Sequence, residues 1–452
     1  MPPRRSSPPN NQLSLLEIAA EPTKEFFISM LSKDIGLIPA IIDLIDNSLD
    51  GALRLKEERS FDGLHVNVDF SPSKFSISDN CGGIPVDIAR NYAFCFGRPD
   101  GMPPTEHSMG QFGVGMKRAL FKLGNLFTID STTATSHFQV KQNVAEWKRT
   151  KDWKFRFATL EENKTYSAGK RGTTIVVEQL HEGIKADFAL DNFSTRLTED
   201  IAARHAESMS RGLEIKVNGV ALQSHKPTAL KVTNIKHAHR TEKYKNKSHA
   251  PVDVDVFAGV DESEPKAAGW YVFCNDRLIL RADQTLKTGW GENNGKTIPK
   301  YHNQYARFRG YVRFDSKEAD QLPWNTTKTS IDEDHPVWRA VRLQMIEAMR
   351  PVIDFLNEVK EEKDNEEDES TPLNDMLDAA ESAPVDEVST AKVFGATVKK
   401  RGAKKNGIIN ILYKKPIDQV DLVKEALGVE SAKEVGEKTF EYFFKYECSE
   451  EK

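Results

Sequence analysis

Residues 40–52 read AIIDLIDNSLDGA. On a helix, Asp43, Asn47 and Asp50 fall at i, i+4 and i+7, which is one face. Ile42, Leu44, Ile45 and Leu49 point elsewhere and supply a core. A carboxylate and a carboxamide one turn apart suit metal–nucleotide chemistry. Mg²⁺ prefers oxygen ligands, takes few of them from protein, and keeps phosphates and waters. A carboxylate on that face can instead polarise an attacking water. The same pattern also describes an amphipathic helix with a polar outer face.

Three more stretches follow. SDNCGGIP at 78–85 places Asp79 at a strand end before Gly82 and Gly83, which allow close backbone approach. It reads equally as a hairpin turn. GQFGVGMKRA at 110–119 sets three glycines before a helix that carries Lys117 and Arg118 in its first turns. Free N–H groups at a helix N-terminus bind phosphate, and cations there need something anionic nearby. No strand precedes these glycines directly, so a dinucleotide fingerprint fails, and no GxxxxGK[ST] loop occurs. RGTTIVVEQL at 171–180 opens a strand with Gly172 and Thr173 and by itself decides nothing.

Order and spacing of the four stretches resemble the GHKL family of gyrase B, the MutL proteins, the large heat-shock chaperones, MORC ATPases and histidine kinases. By eye, MORC-like and bacterial ATP-binding proteins are most similar. The resemblance covers about residues 22–180. It implies an α+β fold: a GHKL (Bergerat) α/β sandwich with a mixed or antiparallel sheet. Its ligands are ATP and Mg²⁺. Asn47 resembles the Mg²⁺ ligand, Asp79 the acceptor of the adenine amino group, and Thr173 the residue that assists it. Gly83 and Ile84 resemble the turn under the base. Asp50, Gly110, Gln111, Phe112, Gly113, Val114, Gly115 and Lys117 resemble the remaining nucleotide contacts, and 94–109 the lid. Asp43 stands where hydrolytic members carry Glu and is one methylene shorter, so slow hydrolysis is expected. Asp46 and Asp50 are alternatives, with Asp46 expected to face away. Cys81 replaces a glycine of the Asp turn.

Clamp-type members add an α/β transducer domain that returns a lysine to the γ-phosphate. LPWNTTKTSID at 322–332 offers Lys328, which reads otherwise as a surface-loop lysine. A histidine kinase would carry an accepting His helix before the ATP domain, yet the first histidine is His65.

The 452 residues suit about three domains. The expected divisions are an arm at 1–22, the ATP domain at 23–182, a transducer-like domain at 183–357, an acidic linker at 358–391, and a C-terminal module at 392–452. The net charge of −5 excludes a globally basic nucleic-acid coat but not a local patch. Residues 225–249 carry six Lys, Arg240 and four His against Glu242, and read as a DNA-backbone contact or a solvated loop. Lysines also cluster before the strand–helix–helix pattern of 408–447, which resembles a ribbon-helix-helix dimerisation module. Dispersed Cys81, Cys95, Cys274 and Cys448, with no apolar leader and no run of 18 apolar residues, suggest a cytoplasmic protein without a membrane span. The expected function is an ATP-gated homodimeric clamp, with DNA contacts through 225–249 and 399–413. The alternative is a nucleotide-gated protein-binding scaffold that barely hydrolyses ATP.

Overall fold

The computed structural model describes residues 22–56, 60–97, 105–110, 113–224, 226–246, 248–292, 298–364, 371–397, 411 and 413–448. The arm at 1–21, Gln111 and Phe112, and the lysine cluster at 399–405 lie outside them. Two units divide the chain, residues 1–398 and 399–452. Among the described residues no helix is long and apolar enough to cross a membrane.

The apolar period of the opening stretch is realised as α2 (Leu37–Leu55), which follows α1 (Lys24–Lys33). Ile41, Ile42, Leu44, Ile45 and Leu49 are buried and form one core with a mixed eight-stranded sheet. The strands are β1 (His65–Ser71), β2 (Lys74–Asp79), β3 (Gly124–Thr132), β4 (Ser136–Asn143), β5 (Phe157–Glu162), β6 (Gly172–Leu180), β7 (Glu214–Val217) and β8 (Val220–Ala221). Their order is β5-β4-β3-β6-β2-β1-β7-β8, antiparallel except for β1 and β7. Between β2 and β3 come α3 (Val86–Ile88), a π turn at Ala89–Ala93 and α4 (Gly115–Leu123). The short α5 (Val144–Arg149) follows β4 and buries Val144 and Trp147 in the same core.

The expected boundary at 182 falls too early. The segment α6 (Glu182–Phe188), α7 (Asp191–Arg204) and α8 (Ala206–Ser210) is the crossover from β6 to β7, which run parallel in this sheet. Phe193, Leu197 and Ile201 recur at helical spacing and pack into the first core, so the layer runs on to about residue 222.

A second sheet has the order β13-β12-β14-β11-β10-β16. It contains β10 (Ile235–Asn246), β11 (His249–Val260), β12 (Gly269–Cys274), β13 (Arg277–Asp283), β14 (Phe308–Asp315) and β16 (Thr390–Ala391). β9 (Thr228–Lys231) pairs with β15 (Glu381–Pro384), and β17 (Gly395–Ala396) pairs with β10. The helix α9 (Pro336–Asp364) covers this sheet through Val341, Met345, Met349 and Val352.

Two further expectations are corrected here. Much of the basic stretch 225–249 is strand β10, not a loop; His225 and Lys247 lie outside the described residues. Several of its charges are met by acids of this sheet and of α9: Lys243 by Asp253, His239 by Asp255 and Arg240 by Glu347. The acidic linker at 358–391 is also largely structured. α9 continues to Asp364, and α10 (Pro372–Asp378) buries Leu373 and Leu377 against the second core. The Glu362 carboxylate accepts the N–H groups of Leu373 and Asn374, and Phe394 packs on Phe355. Acidic composition alone does not show that the apolar residues between the charges have a partner.

The second unit contains α11 (Ile417–Leu427) and α12 (Ala432–Phe443). Ser431 and Glu434 form a capping box that starts α12. The expected strand before them is not seen in the described residues: Ile411 and Tyr413 lie in no strand, and Ile409 lies outside. A ribbon strand gains its hydrogen bonds only from a second edge, and the described residues of this unit contain no strand to supply one.

Candidate nucleotide site

One face of α2, the turn after β2, the start of α4 and a loop before α9 meet around a cavity of about 160 Å³. It is lined by Asp43, Asn47, Asp50, Asp79, Gly83, Ile84, Gly110, Gly113, Val114, Gly115, Lys117, Thr173 and Lys328. Of the residues singled out in the sequence, Gln111 and Phe112 lie outside the described residues.

At one end sits Asp79. Its carboxylate accepts from Ser48 Oγ at 2.7 Å, Cys81 N at 2.9 Å and Thr173 N at 3.2 Å. Burial pushes its pKa up, against the pull of those donors. The Thr173 hydroxyl bonds Ser131 Oγ instead, and Ser131 in turn accepts the Ile84 N–H at 2.7 Å. Gly83 has φ +75°, and a Cβ there would come within 2.2 Å of Thr132 O. Cys81 is buried, yet the left-handed backbone of the turn is carried by Gly82 and Gly83. Its carbonyl lies where a Cβ on Gly51 would come within 2.8 Å, so the glycine of the opening stretch makes room for the turn.

The other end is cationic. α4 begins at Gly115 with no side-chain cap on its first turn, which leaves N–H groups facing the cavity. Lys117 is only 3% exposed and donates to two carbonyls, Ala93 O at 2.8 Å and Gly113 O. Among the described residues no carboxylate pairs with it, and burial lowers its pKa to about 7. Asp50 accepts Met109 N at 2.7 Å and Gly110 N at 2.8 Å, so it anchors the glycine segment. Its pKa is raised by burial.

Asp43 is encircled by cations. Arg118 Nη2 is 2.7 Å from its Oδ2, while Arg277 and Lys328 lie 3.5 Å and 3.6 Å from its Oδ1. Burial alone would raise its pKa, but Lys328, Arg277 and Arg118 outweigh that and hold it low. Lys328 comes from the second sheet's side of the chain with φ +51° and is itself buried. Its Nζ is 2.7 Å from Asp46 Oδ2, and burial lowers its pKa to about 8. Asp46 does face away from the cavity, but it holds the lysine that enters it.

Sequence reasoning passed over Arg277, Ser48 and Ser131. Ser48 stands inside the opening stretch, so its neighbours could have drawn attention to it. Arg277 follows a turn over 200 residues away from Asp43 and carries no local signal.

The lid expected at 94–109 is held at both described ends. Phe96 packs on Phe27, Phe121 and Trp147, and Ser108 O accepts from Asn275 Nδ2 at 3.3 Å. Residues 98–104 lie outside the described ones.

Asn47 tests the fit of a magnesium ion. Its side chain lines the cavity, and its Nδ2 is buried without a hydrogen-bond partner. The amide oxygen is a donor of the hard kind that Mg²⁺ prefers, and one such protein ligand is what Mg²⁺ takes beside phosphates and waters.

Comparison with known proteins agrees with this geometry. Residues 35–173 match the family of histidine kinase-, DNA gyrase B-, and HSP90-like ATPases. No curated protein matches the chain. The match spans α2, the Asp79 turn, the glycine segment and Thr173, so the stretch that lines the cavity from the first layer is similar to ATPase domains of the GHKL type.

Proposed function

We propose that this chain is a Mg²⁺-dependent ATPase in which the second layer closes the nucleotide pocket, and that it works as a homodimeric clamp. The observation that carries this reading is Lys328, which reaches from the second layer to within 3.6 Å of Asp43. Asp79 orients the base, since a carboxylate accepts strongly from an adenine amino group whereas guanine offers an acceptor there. Lys117 and the open first turn of α4 receive the phosphates. Asn47 would hold the magnesium ion, which neutralises charge on the phosphates. Asp43 orients and polarises the attacking water, and Lys328 stabilises charge that develops on the γ-phosphate.

Dimerisation is assigned to the C-terminal unit. Val420, Val423 and Leu427 form a half-buried stripe, and Phe440, Tyr442, Phe443 and Phe444 are exposed. Two tethered heads have a high effective concentration, so weak head contact becomes appreciable. The proposed client is DNA. Because several charges of β10 are neutralised within the second layer, the contact falls mainly to residues 399–413, which lie outside the described residues except Ile411 and Tyr413. The cations around Asp43 favour a second reading, a nucleotide-gated scaffold with little turnover.

The deciding experiment is ATP turnover with light-scattering mass, plus DNA retention across a salt series. Turnover, ATP-dependent compaction of a dimer and salt-sensitive retention support the clamp. ATP binding without turnover or DNA retention overturns it for the scaffold.

A further inference from the structure

Behind the pocket, one carboxylate of the first layer meets two cations of the second. Asp46 is 1% exposed and does not touch the cavity. Two cations reach its Oδ2: Lys328 Nζ at 2.7 Å, and Arg277 Nη1 in direct contact. Both belong to the second layer, Arg277 as the first residue of β13 and Lys328 in the loop before α9. Arg277 is fully buried, and its Nη1 also lies 3.5 Å from Asp43.

The turn that carries Arg277 is pinned on three sides. Asn275 and Asp276 take left-handed backbone, at φ +46° and +67°, which folds β12 back into β13. Asp276 pairs with Arg211 at 2.8 Å in the first layer. Asn275 donates to Ser108 O in the lid end and accepts Ser316 N at 2.9 Å. Arg277 therefore stands on a rigid element and not on a loose loop.

A half-matched network is the second observation. Arg277 Nε and Nη2, Asp46 Oδ1 and both ring nitrogens of His205 are buried without hydrogen-bond partners. His205 Nε2 lies 3.8 Å from Asp46 Oδ1, and burial lowers the imidazole pKa to about 3, so the ring is neutral. An apolar filling would serve packing alone better than a partly satisfied buried ion pair. Its geometry makes sense as a holder: with Arg277 fixed, Asp46 is neutralised and oriented, and its remaining attraction aims one flexible cation, Lys328.

We propose that Asp46 and Arg277 are a positioning pair, through which β13 of the second layer holds Lys328 at the phosphate end of the nucleotide pocket. This rests on the reading that the pocket takes ATP and that Lys328 meets its γ-phosphate. Neither Asp46 nor Arg277 touches the nucleotide. Their effect falls on the step that distinguishes ATP from ADP, because only the triphosphate reaches Lys328.

The test uses the full chain and four variants: Asp46→Asn, Arg277→Met, the double variant Asp46→Asn with Arg277→Met, and Lys328→Ala. Melting temperature, ADP affinity, ATP affinity and ATP turnover are measured for each. A single variant removes one charge of the buried cluster, shifts its balance by one and lowers the melting temperature, whereas the double variant removes one charge of each sign and restores it. The expected result is that the double variant melts within a few degrees of wild type and binds ADP within about twofold. Its turnover stays at least tenfold down at saturating ATP, close to that of Lys328→Ala. If turnover returns together with stability in the double variant, the pair is merely structural and the proposal is overturned. If Lys328→Ala turns over ATP like wild type, the underlying reading of Lys328 fails instead, whatever the other variants do.

Discussion

The Asp50 carboxylate and the Gly110 backbone N–H lie 2.8 Å apart, and this contact ties the end of the glycine segment to the helix that carries Asp43 and Asn47. Met109 N donates to the other oxygen at 2.7 Å, so one side chain satisfies two successive amides. The space between them is filled: a Cβ on Gly110 would come within 2.6 Å of Asp50 Oδ2. Asp50→Ala strands both donors, at a cost of about 1–3 kcal/mol for each that stays buried. The expected outcome is faster amide exchange at Met109 and Gly110 and a roughly tenfold loss of nucleotide affinity. Gly110→Ala should do much the same. Unchanged exchange at both amides removes Asp50 from this role.

Asp79 should decide whether any adenine nucleotide binds. Asp79→Asn keeps the size of the side chain but replaces one acceptor oxygen by a donor, which faces the N–H groups of Cys81 and Thr173 or the base itself. At a ligand concentration of 100 times Kd, binding stabilises a fold by about 2.7 kcal/mol. Wild type should show a clear rise in melting temperature with excess ADP, and Asp79→Asn none. A preserved rise in the variant refutes the base assignment.

What could be read from sequence was local. Asp43, Asn47 and Asp50 share a helical face because their spacing is set within one element, and Asp79, Gly83 and Lys117 sit in short motifs at element ends. Lys328 was reachable only through the resemblance, since nothing in its surroundings predicts a buried position. Arg277 was not legible at all: its partner Asp46 is 231 residues away, and an arginine after a turn looks like any surface cation. The same limit applies to β10. Its lysines and histidines read as a basic loop because the aspartates that face them, Asp253 and Asp255, belong to the next strand. Residues 371–391 read as linker for a related reason, because Leu373 and Leu377 are too sparse to form a period and acquire meaning only against α9.

Lys117 gives the site a pH dependence of defined sign. Burial lowers its pKa from the ordinary 10.5 to about 7, so between those values the unfolded chain binds the extra proton. Stability of the free protein therefore rises with pH across that window as far as this group is concerned. Nucleotide binding moves the other way, because phosphate favours the ammonium form. Calorimetry at pH 8 in buffers of different ionisation enthalpy should show net proton uptake on ADP binding, and affinity should weaken from pH 7 to 9. Lys117→Met should bind more weakly and with the uptake much reduced. Uptake equal to that of wild type in this variant would mean that another group titrates.

The cations around Asp43 set what its removal should do. Arg118, Arg277 and Lys328 keep the carboxylate ionised to well below neutral pH, so turnover should not fall through loss of its charge between pH 5 and 7. A base so strongly paired is a weak one, so turnover should be slow. Asp43→Asn removes the negative charge but leaves the three cations in place, beside Asp46 and Asp50. The pocket then carries one more net positive charge, and ATP, an anion, should bind at least as tightly as before. Turnover should fall by about 10²–10⁴, the range that a positioned general base contributes. The variant should accordingly trap the ATP-bound state, seen by light scattering as a compacted dimer that persists for as long as ATP is present. If Asp43→Asn hydrolyses ATP at the wild-type rate, water activation belongs to another group. If it fails to bind ATP at all, the carboxylate holds the fold of the phosphate end and is not the base.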